Sequence, residues 1–255
     1  MTALARDVPA SSDLPPAPRV VRARPVAHQP GAARPAKTGQ RLRPRPVGVE
    51  APAPEIDLEA AQVAVQDLLV ALGADLADES MRETPARVAE AYAELLTPAP
   101  LELTTFPNTA GYDELIVVRS IPFHSLCQHH LLPFIGLAHV GYVPGDHILG
   151  LSKLARVVEQ FARDLQVQER LTKQAADWLQ EHLAPKGVGV AVEAEHLCMS
   201  LHGVQKANAR TVTSALHGLV RDDARTRQEF LAAAGLPIGS PLPEGTLTWQ
   251  PQTRS

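Results

Sequence analysis

The chain has 255 residues, 45% hydrophobic and 20% charged, with a net charge of −4 and a pI near 6.2. That length supports one large core or two small ones, and the acidic balance argues against nucleic acid as a partner. No apolar run is long enough for a membrane span and the opening stretch lacks a secretory leader, so the expected compartment is cytoplasmic, where the two cysteines are expected as thiols rather than a disulfide.

Residues 1–54 differ from the rest. They hold 11 of the 23 prolines and nine Lys/Arg against three acids, a balance of +6 that leaves −10 on residues 55–255. Dense proline blocks helix, and little apolar surface is present to offset ordering entropy. The expectation is a disordered, basic, Pro-rich tail over 1–54, a catalytic domain over 55–236 and a C-terminal tail over 237–255. The prolines also break the amphipathic helix that an organelle transit peptide needs.

The domain opens with two helices. Asp57 can cap one in which Leu58, Ala61, Val65, Leu68 and Leu72 recur at helical spacing, with Gly73 to end it. Thr84 as N-cap and Pro85 as first helical residue predict another, with Val88, Tyr92 and Leu95 on one face. Strands are expected at Leu115–Val118 and at Leu137–Val143, before the P-G-D turn at 144–146. Two amphipathic helices follow, one carrying Leu154, Val157, Val158, Phe161 and Leu165, the next Leu171, Ala175, Trp178, Leu179 and Leu183. The segments Val188–Leu201 and Thr211–Leu216 read as strands and Arg225–Ala234 as a closing helix. Helices, strands, a helical pair and strands again predict an α+β fold with a largely antiparallel sheet.

Both cysteines have a histidine two positions away, in S-L-C-Q-H-H at 125–130 and A-E-H-L-C-M at 194–199. Cys127 and His130 have C-x-x-H spacing, which a reverse turn can converge on one ion. Cys198 adds a second thiolate, giving a soft donor set that suits zinc. Three protein ligands leave one tetrahedral position for water, the arrangement of a catalytic site, and water bound there ionises near neutrality. The alternative is that each thiol is a small buried apolar residue. His129 and His196 remain for general acid–base work or for orienting a ligand. Strand parity would put His196 on the same face as Cys198.

In G-L-S-K-L-A-R at 150–156, Ser152 can cap a helix whose first turn carries Lys153 and Arg156. Free N–H groups, the helix dipole and two cations favour phosphate. The alternative is a solvated face.

The segments F-H-S-L-C-Q-H-H-L-L-P-F, G-L-S-K-L-A-R-V-V-E, L-Q-V-Q-E-R-L-T-K-Q, E-H-L-C-M-S-L-H-G-V and T-R-Q-E-F-L occur in this order, and together they closely resemble GTP cyclohydrolase I from about Asp57 to Leu236. The resemblance implies the tunnelling fold, a homodecamer with active sites at subunit boundaries, and opening of the guanine imidazole ring of GTP at C8. Formate is released and 7,8-dihydroneopterin triphosphate forms, the entry step of tetrahydrofolate-type pterin synthesis. It implies Cys127, His130 and Cys198 as zinc ligands and His129 and His196 as acid–base residues. Gln168 and Glu169 would hold guanine; Ser152, Lys153, Arg156 and Arg87 would hold the triphosphate.

Two positions depart from the family pattern. Gln128 stands where glutamate is frequent, and His202 stands where an arginine commonly meets the triphosphate. Arginine is a permanently charged fork and histidine is mostly neutral at pH 7; Lys206 is a candidate substitute, and strand parity with Cys198 would turn His202 toward the site. His202 motivates a rival, a same-fold enzyme for a related purine nucleotide. A non-catalytic nucleotide-binding paralogue is a second, opposed by the five retained Cys and His residues.

Overall fold

The computed structural model of the chain describes residues 55–101 and 104–236. The expected tails, 1–54 and 237–255, lie outside the described residues. Helix α1 spans Leu58–Ala71, capped by the Asp57 carboxylate, which accepts from the Ala60 N–H at 2.9 Å. Gly73, at φ +85°, turns the chain out of it, a conformation glycine adopts without a Cβ penalty. Helix α2 spans Thr84–Leu96, with Glu83 rather than Thr84 at the N-cap. The Thr84 hydroxyl is turned to the Met81 sulfur instead, at 3.8 Å, so no side chain caps this helix.

The remaining elements are β1 (Thr105–Pro107), β2 (Ile116–Cys127), β3 (Pro133–Val143), β4 (His147–Leu149), α3 (Leu151–Ala162), β5 (Leu165–Gln166), α4 (Gln168–Leu183), β6 (Gly187–His196), α5 (Leu197–Leu201), β7 (Arg210–His217), α6 (Gly218–Asp222) and α7 (Ala224–Ala233). β5-β2-β3-β6-β7 form one sheet, antiparallel except for the short β2–β5 pairing, and β1 and β4 form a separate antiparallel pair. The protein is therefore α+β, as expected.

Strand β2 runs well past the expected Val118. A bulge interrupts its register between Val118 and Ile121, where Ser120 sits at φ 59°. One extra residue hides the alternation on which a strand reading depends. Pro122 is tolerated because β5 pairs with β2 only at Leu126 and Cys127, leaving that edge of β2 open at the proline.

One face of the sheet is packed by α3 and α4. Phe134, Ala138, Val140 and Tyr142 of β3 and Val190 and Val192 of β6 meet Leu154, Val157, Leu171, Ala175 and Leu179 in a single core. The opposite face carries a smaller cluster in which the α7 ring Phe230 is fully buried with Val143, Ala191 and Val220. That ring lies on two glycines: a Cβ at Gly189 would stand 2.8 Å from it and one at Gly141 2.9 Å. Replacing Phe230 with alanine is expected to lower the unfolding free energy by about 3–5 kcal/mol, read as a lower denaturant midpoint. An unchanged midpoint would mean that α7 is held elsewhere.

Candidate functional site

The β2–β3 hairpin turn makes the centre of the site. Cys127 closes β2, and its carbonyl accepts from the His130 and Leu131 N–H groups at 3.3 and 2.8 Å. Its own N–H donates to the Leu132 carbonyl at 2.9 Å, and Leu131 takes φ 55° to reverse the chain. This turn sets Cys127 and His130 on one side. Tyr92 of α2 braces it by donating its hydroxyl to the Leu131 carbonyl at 3.0 Å.

Cys198 arrives from α5. The segment expected as one strand over 188–201 ends at His196, and Cys198 lies in the first turn of a five-residue helix. The strand-parity argument therefore does not describe this region: His196 is the last residue of β6, and helix geometry aims Cys198. The three ligand atoms nevertheless converge. Cys198 Sγ lies 3.9 Å from Cys127 Sγ, and His130 Nδ1 lies 3.7 Å from it; all three atoms are within 4.8 Å of one another.

These separations fit a metal. A tetrahedral ion with 2.3 Å bonds to sulfur and 2.0–2.1 Å bonds to nitrogen sets S···S and S···N edges of about 3.8 and 3.6 Å. A disulfide needs about 2.05 Å, so the thiols are free. Burial and the neighbouring Cys127 sulfur push the Cys198 thiol above its ordinary value. The Cys–His–Cys group could hold a metal ion.

His129 and His196 stand outside this donor set. The His129 Nδ1 is 3.9 Å from Cys127 Sγ, and its Nε2 is 3.4 Å from the Gln128 amide nitrogen. The Gln128 oxygen accepts from Arg170 at 3.0 Å, so this residue ties His129 to α4. His196 is stacked on Phe134, with ring centroids 4.6 Å apart and planes 4° from parallel. Burial lowers its pKa, and the Glu169 carboxylate partly opposes that shift. Glu169 is exposed at the start of α4, whereas Gln168 is 1% exposed. The Gln168 side chain contacts His196, Val192, Thr211 and Thr213.

His202, exposed just after α5, has its ring centroid 5.8 Å from that of His130. It lies beside the Cys–His–Cys group, although the expected strand parity does not produce that placement. Lys206 is exposed in the same loop, where its N–H reaches the Met199 carbonyl at 3.0 Å. Glu195 pins this loop by accepting from Ser200 at 2.7 Å and from the Asn208 N–H at 3.3 Å.

The expected anion cluster is elsewhere. Gly150, not Ser152, caps α3, which puts Ser152 and Lys153 within the first turn and Arg156 in the second. Gly150 is extended, with φ −60° and ψ 128°, and its carbonyl accepts the Lys153 N–H at 2.8 Å, so the cap needs no side chain. The far end of α3 leads into β5, whose Gln166 pairs with Cys127. A helix of 12 residues is about 18 Å long, so within one chain α3 separates its N-terminal cations from the thiols. Arg87 is exposed on α2. The residues that the sequence reading did not single out are Phe134, Arg170, Thr172 and Thr213, which act through other side chains; the first three lie within the quoted segments, whereas Thr213 lies in none of them.

An α+β chain with a Cys–His–Cys group at the end of its central hairpin, flanked by two further imidazoles, has the makeup of an enzyme with a metal-type site. The chain belongs to the GTP cyclohydrolase I family, whose family model matches residues 61–235. It is similar to the GTP cyclohydrolase 1 of Gloeobacter violaceus, at 52% identity over 66% of this chain and 80% of that one. The GTP cyclohydrolase 1 of Aquifex aeolicus is 49% identical over 69% of this chain and 96% of its own. That of Streptomyces avermitilis is 51% identical over 70% and 90%. The chain is accordingly an enzyme of this family.

Proposed function

We propose that this enzyme hydrolyses the imidazole ring of GTP at C8, releasing formate and forming 7,8-dihydroneopterin triphosphate, with zinc held by Cys127, His130 and Cys198. The convergence of two thiols and one imidazole within 4.8 Å carries the proposal. Zinc, when bound, supplies Lewis acidity and ionises water near neutral pH.

The chain's own residues supply the rest. His129 and His196 move protons, and the lowered pKa of His196 keeps it neutral and able to accept one. Glu169 accepts from the guanine N1–H and 2-amino group, a donor pair adenine lacks. Ser152, Lys153, Arg156 and Arg87 hold the triphosphate, with His202 beside the metal group. The separation of the α3 cations from the thiols supports a site completed by a second copy of the chain, as in a tunnelling-fold homodecamer. The exposed Leu58, Val63, Leu68 and Val70 of α1, with Leu72 at its C-cap, support the same reading, since a helix that buries none of its apolar side chains within its own chain favours association. The catalytic domain is then residues 55–236, between two tails. No helix among the described residues is long and apolar enough to cross a membrane, which fits a cytoplasmic enzyme.

The test is incubation with GTP, followed by oxidation and detection of a fluorescent pterin, with formate measured in parallel. Both products are expected, lost with chelator and restored by zinc. Neither product from zinc-loaded protein would end the proposal and revive the non-catalytic reading.

The exposed His202 beside His130 favours one rival, an enzyme for a purine nucleotide with fewer phosphates. Relative turnover of GTP, GDP, GMP and ATP separates the two. A charge-assisted phosphate contact is worth about 1.5–3 kcal/mol, and 1.4 kcal/mol is tenfold. His202→Arg is therefore expected to lower the KM for GTP by about ten- to a hundredfold. An unchanged KM would place the triphosphate away from this loop.

A further inference from the structure

The Gln168 amide has four partners, and a chain of obligatory donors and acceptors fixes which way it faces. The chain starts at the Gln168 backbone carbonyl, which can only accept. The Thr172 hydroxyl donates to it at 2.7 Å, which spends the single hydrogen of that hydroxyl. The Thr213 hydroxyl lies 2.6 Å from Thr172 Oγ1 and must therefore be the donor of that pair. Thr213 Oγ1 is left as an acceptor, 3.1 Å from the Gln168 side-chain nitrogen. The Val192 and Thr211 carbonyls, at 3.1 and 2.9 Å from the same nitrogen, are acceptors as well. Three acceptors surround this atom. Reversing the amide would set its oxygen against two carbonyls in a site where the side chain is 1% exposed, a buried clash without a donor.

With the nitrogen so placed, the Gln168 oxygen lies 2.8 Å from His196 Nε2. An amide oxygen only accepts, so that ring nitrogen must carry hydrogen. In a neutral imidazole Nδ1 then holds the lone pair. Phe134, the cross-strand partner of His196 and itself fully buried, stacks on the ring and keeps its plane from turning.

We propose that Gln168 is a positioning residue that fixes His196 as its Nε2–H tautomer, leaving Nδ1 as the nitrogen that exchanges protons with the substrate, and that Thr172 and Thr213 add a third acceptor to the two carbonyls that set the direction of this relay. The Gln168 side-chain amide is then engaged by protein partners and acts through His196, so that of the two side chains Glu169 is the one left to meet the base. This proposal rests on the ring-opening reading above for the role of His196. The tautomer itself does not depend on that reading.

The test uses full-length zinc-loaded protein with 15N-labelled histidine, the His196 ring signals being assigned by their loss in His196→Phe. Two-bond proton–nitrogen correlations report which ring nitrogen is protonated. The wild-type enzyme and Thr213→Ser, which keeps the hydroxyl, are expected to show Nε2–H. Gln168→Met should populate both tautomers, with kcat lower by about 10–100-fold, by analogy with the range seen when the hydrogen-bond partner that orients a metal-ligating histidine is removed, and with KM for GTP changed less than threefold. Thr213→Val, which keeps Gln168 itself but removes one of the three acceptors around its amide, should lower kcat several-fold with KM for GTP little changed, so the relay stays testable if Gln168→Met folds poorly. Nδ1–H in the wild-type ring would overturn the proposal. So would a loss in Gln168→Met confined to KM with Nε2–H retained, since that pattern belongs to direct base contact. If the wild-type protein does not turn GTP over, the ring-opening reading fails while the nitrogen signals still decide the tautomer.

Discussion

Cys198→Ser is expected to abolish turnover and metal binding together. The serine hydroxyl is a neutral, harder donor that does not ionise where a thiolate does, and it leaves Cys127 and His130 as a two-point site. Losing a residue that only supports a ligand costs about 10–100-fold in metal affinity, so losing a ligand costs more. The variant should purify with well under one zinc per chain and give no detectable pterin from GTP. The fold should survive, because Cys198 sits half-exposed in a short helix at the margin of the core rather than within it. Metal content by elemental analysis and the circular dichroism melting curve separate the two effects. Full zinc content with normal turnover would show that the sulfur–sulfur approach of 3.9 Å is packing alone.

His196→Ala is expected to have the opposite signature. General acid–base catalysis contributes about 10²–10⁴-fold, and kcat should fall by that amount while zinc content stays at the wild-type level. The reason is geometric: His196 is committed to Gln168 at 2.8 Å and to the Phe134 ring, outside the Cys–His–Cys group. Zinc lost in proportion to activity would make His196 a ligand and redraw the site. Together the two substitutions distinguish a residue that holds the metal from one that moves a proton beside it.

His202 links the nucleotide reading to the structure. Its ring lies 5.8 Å from that of His130, beside the Cys–His–Cys group. Any phosphate held there meets an imidazole in place of a permanent charge. The arginine variant described above measures what that exchange costs this enzyme.

Much of this protein was legible in the residues. Helical spacing located α1, α2, α3 and α4, because each buries or presents a stripe that repeats every 3.6 residues; α7 falls on nearly the residues expected for the closing helix. β-rich runs and turn residues located parts of β2, β3, β6 and β7, and the order of elements implied an antiparallel sheet; β1, β4 and β5, of two or three residues each, carry no such signal. The pairing of each cysteine with a histidine picked out the three atoms that meet, since C-x-x-H on a hairpin turn is a local device whose geometry the backbone supplies.

Tertiary structure decided the rest. The bulge at Ser120 and the two-residue β5 are too short or too irregular to leave a period. The five residues of α5 continue the apolar run of β6, so only the folded chain shows that Cys198 is aimed by a helical turn. Strand parity reached the right neighbourhood for His202 by a route the backbone does not take. The Ser152 cap failed because an extended Gly150 starts the helix two residues earlier, where its N–H is held by the Thr104 carbonyl at 3.1 Å. Above all, the direction of the Gln168 amide depends on Val192, Thr211 and Thr213, 24 to 45 residues away along the chain. A sequence lists donors and acceptors, but hydrogen-bond direction is fixed only when every partner around a buried amide is in place.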